Sequence, residues 1–294
     1  MARSKELSIL IPSRNEEFLH KTIEDILEHS EVDTEIIVGL DGWEYSTHIY
    51  DHPKITWIYE PISLGQRAMT NKLAKMATGK YVAKVDAHCS FAQGFDRQLL
   101  KDIDENTILT PMLMRLHAFD WKCKLCGLRA RQDIKPTCHP DLDKEVVWQI
   151  EPKPFTSKYY FDSNLVFQYA PQEEHTTELV DTMALQGSFF MLSKEKYQEL
   201  NICDESLGSW GFQGVETACK GWFNGMRVAT TTNTYYGHMF RTSDIPYPRP
   251  QKDIDAVQEK MKTWFKDKDL KWLVEKFDYP CDWTKDKIKD LTSL

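Results

Sequence analysis

Long hydrophobic runs are missing from this sequence, although 41% of its 294 residues are hydrophobic. No apolar stretch approaches the roughly 20 residues that a helix needs to cross a bilayer. Residues 1–5 lead directly into a strand-like segment, without the apolar centre of a secretory signal peptide. We therefore expect a soluble cytoplasmic protein that makes no membrane contact.

An even set of cysteines is also missing. Seven cysteines without a secretory signal argue against a disulfide framework and leave free thiols or a metal site. Positive charge is not in excess, because the formal net charge is -8, so the surface as a whole does not attract polyanions. A local basic patch could still do so, since attraction depends on how charge is distributed. Internal repeats and low-complexity tracts are absent, and the composition is that of a globular protein.

Strands and helices alternate in the first third of the sequence. Apolar segments at 7–12, 35–40, 55–59 and 80–85 predict strands, and the apolar spacing within 16–29 and 66–77 predicts helices. This order predicts an α/β fold with a mixed, mostly parallel sheet flanked by helices. In such sheets ligands bind at the carboxyl ends of the strands. Pro12, Arg14, Asp41 and Asp86 all fall at such ends.

The alternation stops after Thr110, and residues from about 112 to 175 show no clear period, which predicts an irregular insertion. Further strands are expected at 184–192 and 226–231, and helices at 195–200 and 214–224. We place a main domain at 1–250 and a helical extension at 251–294. Its aromatic residues are expected to pack on the core, with acceptor binding or dimerisation as the weaker alternative: Trp264, Phe265, Trp272 and Phe277.

A candidate metal site lies at the end of the fourth predicted strand. Asp86 and His88 are two residues apart, so on an extended chain their side chains point to the same side and could converge on one divalent cation. Taken alone, this D-x-H also fits a buried strand followed by a polar turn, because short motifs match by chance.

Other segments strengthen the metal interpretation. Gly237-His238-Met239-Phe240-Arg241 is close to a G-H-V-F-R motif, and Trp210-Gly211 followed by Glu216 is close to W-G-G-E-N-x-E. Thr182-Met183-Ala184, followed by Gly187, is close to T-M-A-G-G. With the D-x-H, and in this order, these motifs resemble the glycosyltransferase A-type fold, in particular family-2-like enzymes. The polypeptide N-acetylgalactosaminyltransferases are the more closely similar group. The resemblance covers about residues 5–245.

This resemblance implies a set of functional residues. Asp86, His88 and His238 would hold the metal ion. This donor set suits Mn²⁺, and Mg²⁺, which prefers oxygen ligands, is the alternative. Arg241 would stabilise the diphosphate, with a surface ion pair as the plain alternative. The residues expected to bind a UDP-sugar are Pro12, Arg14, Glu16, Asp41, Gly65, Arg67, Asp86, Ala87, Gln186, Gly187 and Trp210.

One departure from the family pattern concerns the catalytic base. Where inverting relatives carry an acid, this chain has Gln213, which cannot accept a proton at neutral pH. Either Glu216 or another carboxylate is the base and the reaction inverts the anomeric configuration, or the enzyme retains it and needs no base there. The closer likeness to retaining transferases favours retention. Gln186 and Gln213 also replace family residues near the donor sugar, so the sugar is left open.

Four residues in the predicted insertion have the ligand types of a structural zinc site: Cys123, Cys126, Cys138 and His139. Because the second pair is adjacent in sequence, which strains tetrahedral chelation, reduced thiols are the favoured interpretation. Basic residues surround Trp121 in the same region and could contact a nucleic acid, although a solvated face is the commoner role.

The expected function is metal-dependent transfer of a hexose or N-acetylhexosamine from a UDP-sugar to an acceptor hydroxyl, with retention. The acceptor is open between a hydroxymethylated DNA base, a glycan and a protein, and the oligomeric state is open as well. The alternative is a non-catalytic nucleotide-sugar or nucleic-acid binding module on the same fold. A nucleotidyltransferase is disfavoured, since the sequence lacks a glycine-rich, lysine-containing phosphate loop.

Overall fold

The computed structural model describes residues 6–42, 51–154, 156–171, 178–241, 245, 247, 250–278 and 280–292. Within these ranges the strands are β1 (Leu7–Ser13), β2 (Thr34–Asp41), β3 (Ile55–Glu60), β4 (Tyr81–Val85), β5 (Cys89–Phe91), β6 (Thr107–Cys123), β7 (Arg129–Arg131), β8 (Leu142–Pro154), β9 (Tyr159–Phe161), β10 (Phe167–Tyr169), β11 (Leu179–Asp181), β12 (Phe189–Ser193) and β13 (Arg227–His238). The helices are α1 (Leu19–His29), α2 (Gln66–Met76), α3 (Phe95–Asp102), α4 (Lys194–Glu199), α5 (Gln213–Phe223), α6 (Gln251–Phe265), α7 (Leu270–Lys276) and α8 (Lys285–Leu291).

One large sheet organises the molecule. Its strand order is β11-β13-β6-β12-β4-β1-β2-β3, and β5, β7 and β8 pair at its side. The pairs β1–β2, β1–β4, β2–β3 and β6–β13 are parallel, whereas β12 runs antiparallel between β4 and β6. The predicted α/β fold with a mixed sheet is therefore confirmed.

The helices of the first half pack on this sheet through apolar faces. In α1, Leu19, Ile23 and Ile26 are fully buried at helical spacing. This helix begins at Leu19 and not at Glu16 as predicted, since the Glu16 carboxylate accepts the Phe18 N–H bond at 3.1 Å ahead of the first turn.

The prediction of an irregular insertion over about 112–175 is wrong. Most of this region is an antiparallel extension, which we call the ribbon: β6 beyond Arg115, together with β7 and β8. Its register shifts twice, near Leu116 and near Phe119, which breaks the two-residue alternation that marks a strand in sequence. A separate apolar cluster secures the ribbon to the body: Phe18, Leu116, Ala118, Phe119, Trp121 and Met239.

The carboxyl-terminal segment packs on the main core as expected. Phe265 is fully buried, Trp264 and Phe277 are partly buried against the core, and Trp272 remains 43% exposed. The boundary at residue 250 stays a prediction. Among the described residues, no helix is both long and apolar enough to cross a membrane.

Candidate active site

A cavity of about 530 Å³ opens at the carboxyl ends of β1, β2 and β4. This is the edge at which ligands bind in parallel α/β sheets, and the volume is within the range of small-molecule sites. Because β1 lies between β2 and β4 and pairs in parallel with both, the carboxyl ends of these three strands lie side by side. The cavity is lined by most residues predicted from sequence: Pro12, Arg14, Glu16, Asp41, Gly65, Asp86, Ala87, His88, Gln186, Trp210, His238 and Arg241.

Three metal-ligand side chains converge in this cavity. The Nε2 atoms of His88 and His238 lie 3.1 Å apart, and His238 Nε2 lies 3.4 Å from Asp86 Oδ2. The ligand atoms of all three residues are within 4.8 Å of one another. Asp86 directly follows the last residue of β4. His238, at the end of β13, lies beside it because His238 pairs with Cys89 of β5. The donor set fits one divalent cation with positions left for other ligands.

Glu16 orients this cluster from behind. Its Oε2 lies 2.9 Å from His88 Nδ1, which leaves His88 Nε2 directed at the proposed metal position. Arg241 donates to both oxygens of the same carboxylate, at 2.6 and 2.7 Å. Burial alone would raise the pKa of Glu16, but His88 and Arg241 outweigh it and lower the pKa to about 2. Glu16 is therefore ionised at neutral pH and links His88 to Arg241.

The protonation states suit metal binding. Burial lowers the pKa of His238 to about 4, against the opposing hydrogen bond with Asp86, so the imidazole is neutral at pH 7. For Asp86, burial raises the pKa, but Lys84 together with His238 and His88 lowers it well below its usual range. A neutral imidazole and an ionised carboxylate are the forms that coordinate cations.

Lys84 is a functional candidate that the sequence interpretation missed. Its ammonium group is buried, donates to Asp86 Oδ1 and also donates to the Gly187 carbonyl at 2.7 Å. The sequence signal for Lys84 is that it is the one charged residue in an otherwise apolar strand. Burying a charge is costly unless it is paired. Gly187, predicted to contact the donor, does not line the cavity and instead provides this acceptor.

Asp41 fixes a loop in another part of the cavity lining. Its carboxylate accepts hydrogen bonds from Ser63 Oγ at 2.9 Å, Leu64 N at 2.6 Å and Gly65 N at 3.0 Å. Gly65 has a φ of +88°, and a Cβ there would lie 2.5 Å from the Ser209 Cβ. Only glycine allows this approach between the two cavity-lining loops.

Arg67 and Glu216, for which binding and catalytic roles were predicted, are not among the residues that line the cavity. They form a buried ion pair, in which Arg67 Nε donates to Glu216 Oε2 at 2.8 Å and each side chain is 1% exposed. The other Glu216 oxygen accepts bonds from Asp204 N and Lys220 Nζ, both at 2.8 Å. With both oxygens engaged and shielded, Glu216 is poorly placed to take a proton from an acceptor.

The same arginine supports the cavity wall. Arg67 donates to the carbonyls of Gly208 and Gly211 at 3.0 and 2.6 Å, so it holds both ends of the loop that carries Trp210. Gln213 also lies outside the lining, where its Nε2 is 3.0 Å from Cys203 Sγ. Of the three predicted site residues outside the lining, Arg67 bonds directly to a cavity-lining loop, Glu216 pairs with Arg67, and Gln213 contacts Cys203.

Helix α6 forms a further wall of the cavity, in a segment for which the sequence supports acceptor binding only as the weaker alternative. Asp253, Ile254, Val257 and Lys260 line the cavity, as does Tyr247 just before the helix. The helix is far from the D-x-H motif in sequence, and its apolar spacing indicates only that one face is buried.

The chain matches the model of the family described as glycosyl transferase family 2 over residues 8–115. Probable N-acetylgalactosaminyltransferase 8 of Caenorhabditis elegans is 24% identical over 208 residues, which are 69% of this chain and 44% of that protein. The chain thus spans less than half the length of this relative.

Two solved structures share the fold. A crystal structure of GalNAc-T7 with UDP, GalNAc and Mn²⁺ has a TM-score of 0.66 at 17% identity, covering 92% of this chain and 48% of that one. Staphylococcus aureus TarS residues 1–349 with UDP-GlcNAc has a TM-score of 0.52 at 12% identity, covering 90% of this chain and 68% of that one. The chain therefore has the glycosyltransferase A-type fold. Its residues 8–115 match the glycosyl transferase family 2 model, and the chain is similar to N-acetylgalactosaminyltransferases, including a putative polypeptide N-acetylgalactosaminyltransferase.

Proposed function

We propose that the protein is a metal-dependent glycosyltransferase that moves a hexose or N-acetylhexosamine from a UDP-sugar to an acceptor hydroxyl with retention. The observation that carries this proposal is the convergence of Asp86, His88 and His238 in one cavity at the carboxyl edge of the sheet. The two solved structures named above contain UDP or a UDP-sugar, which supports this class of donor.

The cavity offers complementary charge to a diphosphate. Arg14 lines it, and its Nε is buried without a hydrogen-bond partner among the described residues. An unpaired buried donor is costly, so an anionic ligand at this position would relieve that cost. Arg241 contributes less net charge, because Glu16 already accepts two of its hydrogen bonds. We therefore assign the principal diphosphate contact of the protein to Arg14.

A divalent cation at the three-residue site supplies neutralisation of the negative charge that develops on the leaving diphosphate. The chain's own residues prepare this site. Glu16 holds His88 in one orientation, Lys84 keeps Asp86 ionised, and burial keeps His238 neutral. Mn²⁺ is the favoured ion, since it accepts both carboxylate and imidazole ligands.

The carboxylates around the cavity support retention. Glu16 and Asp41 are committed to hydrogen bonds, Asp86 belongs to the metal site, and Glu216 does not line the cavity. Asp253 on α6 is the remaining described acid in the lining. Among the described residues that line the cavity, Asp253 is thus the candidate base for an inverting reaction, whereas retention does not require a base in that position. The anomeric configuration of the product, measured by NMR, decides between them.

The charged residues of the ribbon indicate whether the acceptor is a nucleic acid. Lys122 and Arg129 both pair with Glu145, and Arg131 pairs with Asp133. This pairing leaves little free positive charge for a nucleic acid, so a DNA acceptor would have to contact other surfaces. Helix α6 lines the cavity without contributing metal ligands, and we assign the acceptor side to it.

Donor hydrolysis tests the proposal. The purified chain is incubated with UDP-glucose, UDP-galactose and their N-acetylated forms, with Mn²⁺ or with EDTA, and UDP release is measured. We expect release that needs Mn²⁺ and that falls at least about 100-fold in His238→Ala, because a metal ligand is lost. His52→Ala, outside the cavity, is the matched control and should retain full release.

Acceptors are then supplied separately as hydroxymethylated DNA, simple glycans and a serine- and threonine-containing peptide. The acceptor that increases UDP release identifies the acceptor class. Donor binding without turnover in every combination would refute the transferase and support a binding module on the same fold.

A further inference from the structure

A second group of metal-ligand side chains lies at the tip of the ribbon, away from the cavity. Cys123 Sγ is 3.3 Å from His139 Nδ1, and Cys126 Sγ is 3.6 Å from Cys138 Sγ. All four ligand atoms lie within 4.8 Å of one another. Cys123 is eight residues further along β6 than Arg115, which pairs with His238, so the cluster is roughly 25 Å from the first metal site along the strand.

The backbone of the tip brings these residues together. Cys123 ends β6 and pairs with Leu142, the first residue of β8, while the Cys126 N–H approaches Cys123 Sγ at 3.5 Å. The turn closes with a hydrogen bond from Gly127 N to the Cys123 carbonyl at 2.9 Å, and Gly127 has a φ of +74°. This is a C-x₂-C turn with its backbone amide directed at the first sulfur.

Cys138 and His139 are adjacent in sequence, which argued against chelation, but in the structure their side chains contact different partners. Cys138 faces Cys126, and His139 faces Cys123, so the two neighbours approach one centre from different sides. A tetrahedral zinc ion with Zn–S bonds of about 2.3 Å and a Zn–N bond of about 2.0 Å separates its sulfurs by about 3.8 Å, and sulfur from nitrogen by about 3.5 Å. The two closest separations in the structure are close to these values.

The apolar side chains at the tip of the ribbon do not form a core of their own. Three of its large apolar side chains are strongly exposed: Leu125 at 69%, Leu128 at 50% and Ile134 at 65%. All seven cysteines are free, and Cys126 and Cys138 are exposed. Residues 132–141 contain no strand or helix, although they connect β7 to β8. A small unit without an apolar core is ordinarily stabilised by a disulfide or a metal ion.

We propose that Cys123, Cys126, Cys138 and His139 hold one structural zinc ion that fastens the β7–β8 connection to the end of β6. Three thiolates and one imidazole form a closed tetrahedral set, which is typical of structural and not catalytic zinc. A disulfide between Cys126 and Cys138 is the competing arrangement, but it would leave Cys123 and His139 without a common partner.

Metal analysis of the full chain tests the zinc site independently of sugar transfer. After dialysis into metal-free buffer, we expect about one zinc ion per chain by mass spectrometry of the metal content. Cys126→Ser combined with Cys138→Ser should reduce this more than about tenfold, since two of four ligands are lost. Cys281→Ser, an exposed free cysteine in the carboxyl-terminal segment, is the matched control and should keep the ion.

Two further measurements separate the zinc site from the cavity. His238→Ala should keep its zinc, because it changes only the Asp86 site. Cobalt substitution of the unmodified chain should produce the visible bands of a tetrahedral ion together with a thiolate-to-cobalt charge-transfer band. Carboxylate and imidazole ligands alone do not produce the charge-transfer band. Zinc-free protein without a cobalt–thiolate spectrum, or a Cys126–Cys138 disulfide found by peptide mass, would overturn the proposal.

Discussion

Replacing Glu216 by alanine distinguishes a structural carboxylate from a catalytic one. In the structure, Glu216 accepts hydrogen bonds from Arg67 Nε, Lys220 Nζ and Asp204 N, each at 2.8 Å. Arg67 and Lys220 are themselves 1% and 6% exposed as side chains. The substitution therefore leaves two buried cations without their shared anion.

The size of the effect follows from this arrangement. Removing one member of a buried ion pair costs about 3–5 kcal/mol, because the remaining charge stays desolvated. In a domain of this length that corresponds to a fall in melting temperature of roughly 5–10 °C. Glu28→Ala, at an exposed position on α1, is the matched control and should change stability by less than about 0.5 kcal/mol.

The assay combines denaturation with kinetics. Urea unfolding measures the free energy difference, and UDP release is measured per folded molecule well below the variant's melting temperature. We expect a large loss of stability with kcat reduced less than about tenfold, through displacement of the loop that Arg67 holds. A variant of unchanged stability whose kcat falls about 1000-fold or more would refute this reasoning and identify Glu216 as the base.

Two other substitutions test the site and the scaffold. Lys84→Met removes the buried ammonium group that orients Asp86, so the Mn²⁺ concentration for half-maximal UDP release should rise about tenfold. Lys75→Met, at an exposed position, is the control and should leave this concentration unchanged, and equal values for both variants would contradict the role of Lys84. Asp96→Ala removes a fully buried carboxylate that accepts bonds from two backbone amides of the α1–β2 connection and from the Thr34 hydroxyl at the start of β2. Urea unfolding should therefore show a loss of about 3 kcal/mol, against almost none for exposed Asp51→Ala.

The α/β fold could be read from the sequence because its signals are local. Strand β1 is a short apolar run ended by polar residues, and α1 repeats its buried residues at Leu19, Ile23 and Ile26. The D-x-H at Asp86 and His88 lies directly after such a strand, so its position at the carboxyl edge of the sheet followed from topology alone. The roles assigned to these residues stay predictions until the assays are made.

The tertiary structure alone decided which residues meet. Glu216 and Arg67 are 149 positions apart in sequence and neutralise each other in the interior, which no local pattern indicates. The ribbon escaped prediction because its register shifts interrupt the alternation of a strand. The adjacent Cys138 and His139 are likewise separated toward different partners only once β6 and β8 are paired. Sequence periodicity reports which face of an element is buried, whereas long-range pairing determines what lies against that face.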